Sequence, residues 1–309
     1  MATLTILGAG AWGSALATLA KKNGHQVYLW SRRSSLDLNS VLIATDIVVS
    51  AVSMAGVAST VEEVRSHSLN PNAIIATATK GLDPATTHTP SRIWQDAFPD
   101  RSAIVLSGPN LSVEIEQGLP TATVAASLDL NAAKQVQKIF SSETFRVYVN
   151  RDPLGTELGG TLKNVFAIAA GVCDGLQLGT NAKSALLTRA LPEMIRVGVC
   201  LGAQVETFYG LSGLGDLLTT CNSALSRNYR VGYGLAQGKS LEQVLNQLQS
   251  TAEGVNTTNV LIDLASQQGI EIPISTQVYR LINGKITPEQ AVAALMERAL
   301  KPESGDFGV

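Results

Sequence analysis

The chain has 309 residues, of which 16% are charged, 45% hydrophobic and 5% aromatic. At roughly 100 to 200 residues per domain this length supports two domains with proper cores, and it excludes disordered, fibrous and mini-protein classes. With 23 Lys and Arg against 25 Asp and Glu, the net charge of -2 gives nucleic acid or a membrane surface no electrostatic foothold, while a small, locally charged substrate stays compatible.

Scarce charge and scarce aromatics together imply an aliphatic interior, as a parallel sheet buried on both faces requires. In chain order, short aliphatic runs at 3–7, 26–30, 46–52, 73–79, 103–107, 121–126 and 145–149 predict strands. Helical periodicity falls between them at 12–22, 56–66, 89–97 and 130–140, several of these opened by Ser, Thr or Asp. This alternation is the signature of βαβ units. Segment 33–45 is too short for a full crossover helix, so the second connection must be abbreviated. From Gly155 onward the pattern is helical, with turns at Gly179, Gly202, Gly238 and Gly269. The break beside Asp152-Pro153 predicts a dinucleotide-binding domain over 1–152 and a helical substrate domain over 153–309, while the tail 304–309 is expected to be disordered.

Cys173, Cys200 and Cys221 show no Cys-x-x-Cys spacing, which predicts reduced core thiols and neither metal site nor disulfide. His25, His67 and His88 are scattered and are read as surface or strand-edge residues. The N-terminus lacks a basic region followed by an apolar stretch, and no apolar run reaches the roughly 18 residues of a membrane span, so a soluble, cytoplasmic protein is expected.

Gly8-Ala9-Gly10-Ala11-Trp12-Gly13 matches G-x-G-x-x-G between a predicted strand and an amphipathic helix. Gly8 permits the tight turn, Gly10 lets backbone approach a pyrophosphate, Gly13 lets helix and strand pack closely, and the helix N-terminus attracts the anion. An NAD-specific site would carry a carboxylate at the end of the second strand; here Arg32 and Arg33 stand there. Two guanidinium groups suit the 2′-phosphate of NADP, although arginines at such a position are also compatible with simple solvation. Further on, Lys163 follows Gly159-Gly160 in a helix of small apolar residues. A notch over those glycines would let a ligand reach the ammonium, and desolvation there would lower its pKa from about 10.4 toward a range useful for proton transfer. The segment from Gly210 to Asp216 is glycine-rich and ends in one carboxylate, and Ser226-Arg227-Asn228-Tyr229-Arg230 gathers polar and basic groups. An anion-binding loop fits both; Asp216 as a helix cap and Arg227 and Arg230 as a solvated turn fit equally.

Taken together with Thr79-Lys80-Gly81-Leu82, Ser107-Gly108-Pro109, Glu253-Gly254 and Leu295-Met296, these motifs resemble the bacterial NAD(P)-dependent glycerol-3-phosphate dehydrogenases over nearly the whole chain. The resemblance implies a Rossmann-type doubly wound, mostly parallel sheet followed by an all-helical domain. It implies reduction of dihydroxyacetone phosphate to sn-glycerol 3-phosphate with NADP or NAD for glycerophospholipid synthesis, and a homodimer with no membrane insertion. It gives Lys163 the role of proton donor and acceptor, with Asp216 orienting it or the substrate. Lys80, Gly108, Asn110, Ser226, Arg227 and Asn228 fall at substrate positions. Gly8, Gly10, Ala11, Trp12, Gly13, Arg32, Arg33, Ser112, Thr251 and Glu253 fall at cofactor positions, which Lys80 and Arg227 also approach. The chain departs from the family in its short segment after Arg33, which bears on the adenosine pocket, in Ser53 where Pro is usual, and in Asn110 where Thr is usual. A ketopantoate-reductase-like dehydrogenase of the same architecture and a non-catalytic dinucleotide sensor are the alternative readings. The latter would have no need of Lys163, Asp216 and Arg227 together.

Overall fold

The chain, a computed structural model describing residues 1–248, 251–300 and 302–303, divides into two compact units. One comprises Met1–Asp83 and His88–Glu157; the other runs from Leu158 onward and includes Pro84–Thr87. The tail 304–309, expected to be disordered, lies outside the described residues.

In the first unit the aliphatic runs become strands because alternate side chains find cover on both faces of the sheet. The elements are β1 (Thr3–Leu7), α1 (Ala11–Lys22), β2 (Gln26–Trp30), α2 (Leu38–Ile43), β3 (Ile47–Ser50), α3 (Met54–Arg65), β4 (Ile74–Thr77) and α4 (Pro90–Ala97). There follow β5 (Ala103–Ser107), α5 (Ser112–Glu116), β6 (Thr121–Ala126), α6 (Leu130–Phe140) and β7 (Phe145–Asn150). The sheet has the order β2-β1-β3-β4-β5-β6-β7 and is parallel except where β6 runs antiparallel to β5. Leu4, Ile6, Ile47 and Val49 pack with residues of α1 and α6, whereas Leu7, Val48 and Ile75 pack with residues of α2, α3 and α4. This is the doubly wound arrangement.

Strands β3 and β4 are shorter than the runs at 46–52 and 73–79. Each ends where the chain turns out of the ladder, Ser50 pairing with Thr77, so residues 51–53 and 78–80 are loop at the sheet's carboxyl edge. The abbreviated second connection holds the six-residue α2, opened by the Asp37 carboxylate, which accepts from the N–H groups of Asn39 and Ser40.

The second unit is helical: α7 (Pro153–Gly175), whose first turn through Glu157 belongs to the first unit, α8 (Gly179–Cys200), α9 (Val205–Phe208), α10 (Asp216–Cys221) and α11 (Arg227–Ala236). It continues through α12 (Leu241–Leu248), α13 (Glu253–Gln268), α14 (Pro273–Ile282) and α15 (Pro288–Met296). Gly179, Gly202, Gly238 and Gly269 all have positive φ, which explains why turns fall at these residues. Cys173 and Cys221 are buried as expected, but Cys200 is exposed, because it closes α8 on the helix's outer side. Among the described residues no helix is long and apolar enough to cross a membrane.

Candidate active site

The glycine-rich turn of the first unit follows from three separate constraints. Gly8 has φ +114°, and a Cβ there would stand 2.7 Å from the carbonyl oxygen of Ala51. At Gly13 a Cβ would overlap the carbonyl oxygen of Gly8, so only glycine lets α1 start this close to the end of β1. A Cβ on Gly10 would meet nothing within 4 Å. Gly10 and Ala11 are exposed, no side chain caps α1, and its first turn carries no acidic residue, so its N–H groups and positive dipole end remain available to an anion. A pyrophosphate fits this cradle. Trp12, half-buried, is anchored by its indole N–H, which donates to the carbonyl of Ala78 at 3.2 Å.

Arg32 and Arg33 stand exposed in a turn directly after β2, closed by a hydrogen bond from the Ser34 hydroxyl to the Ser31 carbonyl at 2.9 Å. Elsewhere in the unit, the Lys80 ammonium donates to the Gly108 carbonyl at 3.2 Å. A Cβ on Gly108 would lie 2.9 Å from Thr123 Cα, which explains the glycine. Asn110 is held by β6: its amide donates to Ala122 and accepts from the Thr123 hydroxyl at 2.8 Å. Ser112 opens α5.

In the second unit, Lys163 on α7 and Asp216 at the start of α10 meet although 53 residues apart. Lys163 Nζ donates to Asp216 Oδ1 and to Thr220 Oγ1, each at 2.5 Å, and the Thr220 hydroxyl donates to Asp216 Oδ1 at 3.1 Å. All three residues are buried. Burial of either charge alone is costly, and here each has the other as its partner at hydrogen-bond distance, with the Thr220 hydroxyl beside both.

The notch expected over Gly159 is not open. A Cβ on Gly159 would lie 2.6 Å from the Ser212 carbonyl oxygen, so the gap is filled by the backbone of a single π-helical turn, Leu211–Gly215. That close approach delivers Asp216 to Lys163. Asp216 is thus no simple helix cap; Gly215 occupies the cap position of α10.

Ser226 caps α11, its hydroxyl accepting from the Tyr229 N–H at 3.2 Å. Arg227 is exposed on the first turn, and the buried Asn228 accepts from the Gly254 N–H at 2.9 Å. A Cβ on Gly254 would sit 2.6 Å from the Asn164 carbonyl oxygen, which brings the start of α13, with Glu253 and the preceding Thr251, beside the residue following Lys163.

Sequence reasoning assigned no role to two further buried polar residues. Thr220 carries a signal only in hindsight, standing four residues after Asp216 on one helix face. Glu157, at 1% exposure, accepts from the Ser91 N–H at 2.8 Å and from the Ser91 hydroxyl at the start of α4. Burial pushes its carboxyl up to about 7, against the opposing pull of hydrogen bonds from Ser91 and Thr89.

Comparison with known proteins gives one consistent picture. The family described as NAD-dependent glycerol-3-phosphate dehydrogenase, C-terminus, matches residues 152–293, and its N-terminal counterpart matches 3–37 and 33–133. Proteins named glycerol-3-phosphate dehydrogenase [NAD(P)+] from Acaryochloris marina and a Synechocystis species are each 62% identical over 98% of this chain, covering 98% and 96% of their own lengths. The crystal structure of glycerol-3-phosphate dehydrogenase from Coxiella burnetii superposes with a TM-score of 0.92 at 33% identity, over 96% of this chain and 99% of that one.

Proposed function

Because the chain belongs to the NAD-dependent glycerol-3-phosphate dehydrogenase family, we propose that it reduces dihydroxyacetone phosphate to sn-glycerol 3-phosphate with NADPH or NADH, supplying glycerophospholipid synthesis. The observation that carries the reading is the buried Lys163 ammonium, fixed by Asp216 and Thr220, in a chain that also holds a dinucleotide cradle at Gly8–Gly13. A dinucleotide sensor has no use for such a buried proton donor.

Bound NAD(P)H supplies the hydride. Lys163 delivers a proton to the carbonyl oxygen as that oxygen gains charge, and Asp216 and Thr220 hold the ammonium in one orientation. The exposed Arg227 guanidinium pairs with the substrate phosphate, with Asn228 and Ser226 on the same turn. Binding the phosphate remote from the reacting carbon fixes the carbonyl in place, so binding energy serves orientation. In this reading residues 1–152 bind the dinucleotide through Gly8, Gly10, Ala11, Trp12, Gly13, Arg32, Arg33 and Ser112, with Lys80, Gly108 and Asn110 contributing to the substrate. Residues 153–309 carry Lys163 and the phosphate site, with Thr251 and Glu253 on the cofactor. The enzyme acts in the cytoplasm as a homodimer.

The test is oxidation of NADPH and NADH followed on mixing with dihydroxyacetone phosphate and with phosphate-free 2-oxo acids. Turnover only with the phosphorylated ketone supports the reading, and faster turnover of a 2-oxo acid overturns it.

A further inference from the structure

Helix α7 carries one charged residue after Lys163. Asp174 lies about three helical turns further along and so on the same face. Its Oδ2 accepts from Lys183 Nζ on α8 at 2.6 Å and from the Tyr229 hydroxyl on α11 at 2.7 Å. The Lys183 ammonium also stands 5.4 Å from the centre of the Tyr229 ring, so the three side chains close a triangle. No step assigned to Lys163 uses this cluster.

Its place explains what it does. Tyr229 belongs to the same first turn of α11 as Arg227 and Asn228. Helices α7 and α11 touch backbone to backbone: a Cβ on Gly171 would overlap the Tyr229 carbonyl oxygen, and one on Gly232 would overlap the Ile168 carbonyl oxygen. A crossing made through glycines sets the distance between two helices closely. At the far end of α11 the Gln237 amide donates to the Gly175 carbonyl of α7 at 2.8 Å, which leaves the first turn of α11 to be fixed separately. The Asp174–Tyr229 hydrogen bond supplies that restraint at the turn from which Arg227 projects. The Lys183 ammonium is the second partner of the same carboxylate oxygen. Burial, and next the adjoining Asp174, raise the Tyr229 pKa, so the phenol stays a donor.

We propose that Asp174, Lys183 and Tyr229 form a positioning network that sets the rotation of α11 and so holds Arg227 and Asn228 in register for the substrate phosphate. The proposal rests on the reading of Arg227 and Asn228 as substrate residues. None of the three network residues touches substrate in this scheme; each acts through α11.

Steady-state kinetics with dihydroxyacetone phosphate and NADPH, together with thermal unfolding, test it on the full chain. Tyr229→Phe and Asp174→Asn should each raise KM for dihydroxyacetone phosphate about 3- to 10-fold, the range of one hydrogen bond to a partly exposed charge. Under the same proposal kcat stays within about twofold and KM for NADPH does not move. The double variant should be no worse than the more impaired single one, because Tyr229→Phe removes the bond that Asp174→Asn weakens by taking away the charge of its acceptor. Lys183→Met should reproduce the KM increase, and Lys183→Arg, which keeps the cation, should restore it. Arg227→Ala must raise KM for the ketone on its own, and Tyr229→Phe should add little in that background. A lower Tm with unchanged KM in Tyr229→Phe makes the cluster purely structural and overturns the proposal. No effect of Arg227→Ala removes its premise and overturns it too, a failure recognised without any network variant. Tyr229→Phe loses only a hydroxyl, so the comparison with wild type decides the matter even where Asp174→Asn does not fold.

Discussion

At Lys163 two effects of opposite sign meet. Burial penalises the ammonium, and the Asp216 carboxylate at 2.5 Å compensates, so each residue is tolerable in the interior only with the other. Lys163→Ala should therefore lower kcat by at least the roughly 100-fold typical of a lost general acid, with the Kd for NADPH nearly unchanged. Single-turnover measurement of NADPH oxidation checks this, and near wild-type turnover would reject the assignment. Arg227 differs because it is exposed, and the partner proposed for it is the substrate phosphate. Arg227→Ala should reduce kcat/KM for dihydroxyacetone phosphate about 30-fold or more, as for loss of a charge-assisted hydrogen bond, and reduce it far less for unphosphorylated dihydroxyacetone. Equal losses for both ketones would return Arg227 to a solvated turn. The types of these residues were legible in sequence, since a lysine in an aliphatic helix and a carboxylate after a glycine-rich stretch both break their local pattern. Thr220 was not, because a threonine within a helix has no meaning until the ammonium it accepts from is beside it.

At the scale of elements, the strand–turn–helix from β1 to α1 depends on contacts that forbid a side chain. Gly13→Val places its Cβ onto the Gly8 carbonyl oxygen, so the turn must open. Cofactor affinity should be lost and Tm lowered together, measurable by nucleotide fluorescence titration and by calorimetry. The turn after β2 makes a different prediction. It holds Arg32 and Arg33, both exposed, and the double variant Arg32→Ala/Arg33→Ala should weaken NADPH by roughly 10-fold or more in kcat/KM while NADH changes little. The NADPH advantage should narrow at higher salt, as screening of an exposed site requires. A wild-type preference for NADH, or equal losses with both nucleotides, would refute it. Helix α2 and the turn Leu211–Gly215 were not legible as elements. Six or five residues carry too little periodicity, and the π-helical turn exists because Gly159 and Gly213 let backbone segments lie against one another.

For the molecule as a whole, two buried carboxyls lean stability toward acid. Glu157 is raised to about 7, and Glu193, buried while accepting from the Ile274 and Ser275 N–H groups, is raised as well, in both cases chiefly by desolvation. A raised folded-state pKa means that the native state binds the proton more tightly than the unfolded chain does. That stability is complete below the unfolded value of about 4.5 and is lost as pH rises through the folded one. From Glu157 alone the loss between pH 5 and pH 8 should be about 2 to 3 kcal/mol, read from urea unfolding, and Glu157→Gln should flatten that part of the profile. An unchanged slope in the variant would contradict the burial argument. The sequence by itself determined what depends on consecutive residues: the unbroken aliphatic runs of the sheet, the helical second half, the turn glycines and the glycine-rich turn at Gly8–Gly13. Each of these follows from local sterics and side-chain periodicity, which need no distant partner. Only the tertiary structure decided that Gly159 receives the Ser212 backbone, that Lys163 finds Asp216 and Thr220, and that Tyr229 is tied to Asp174. Those pairings join residues more than fifty positions apart, and what brings them together is close packing of helices, which no short stretch of chain encodes.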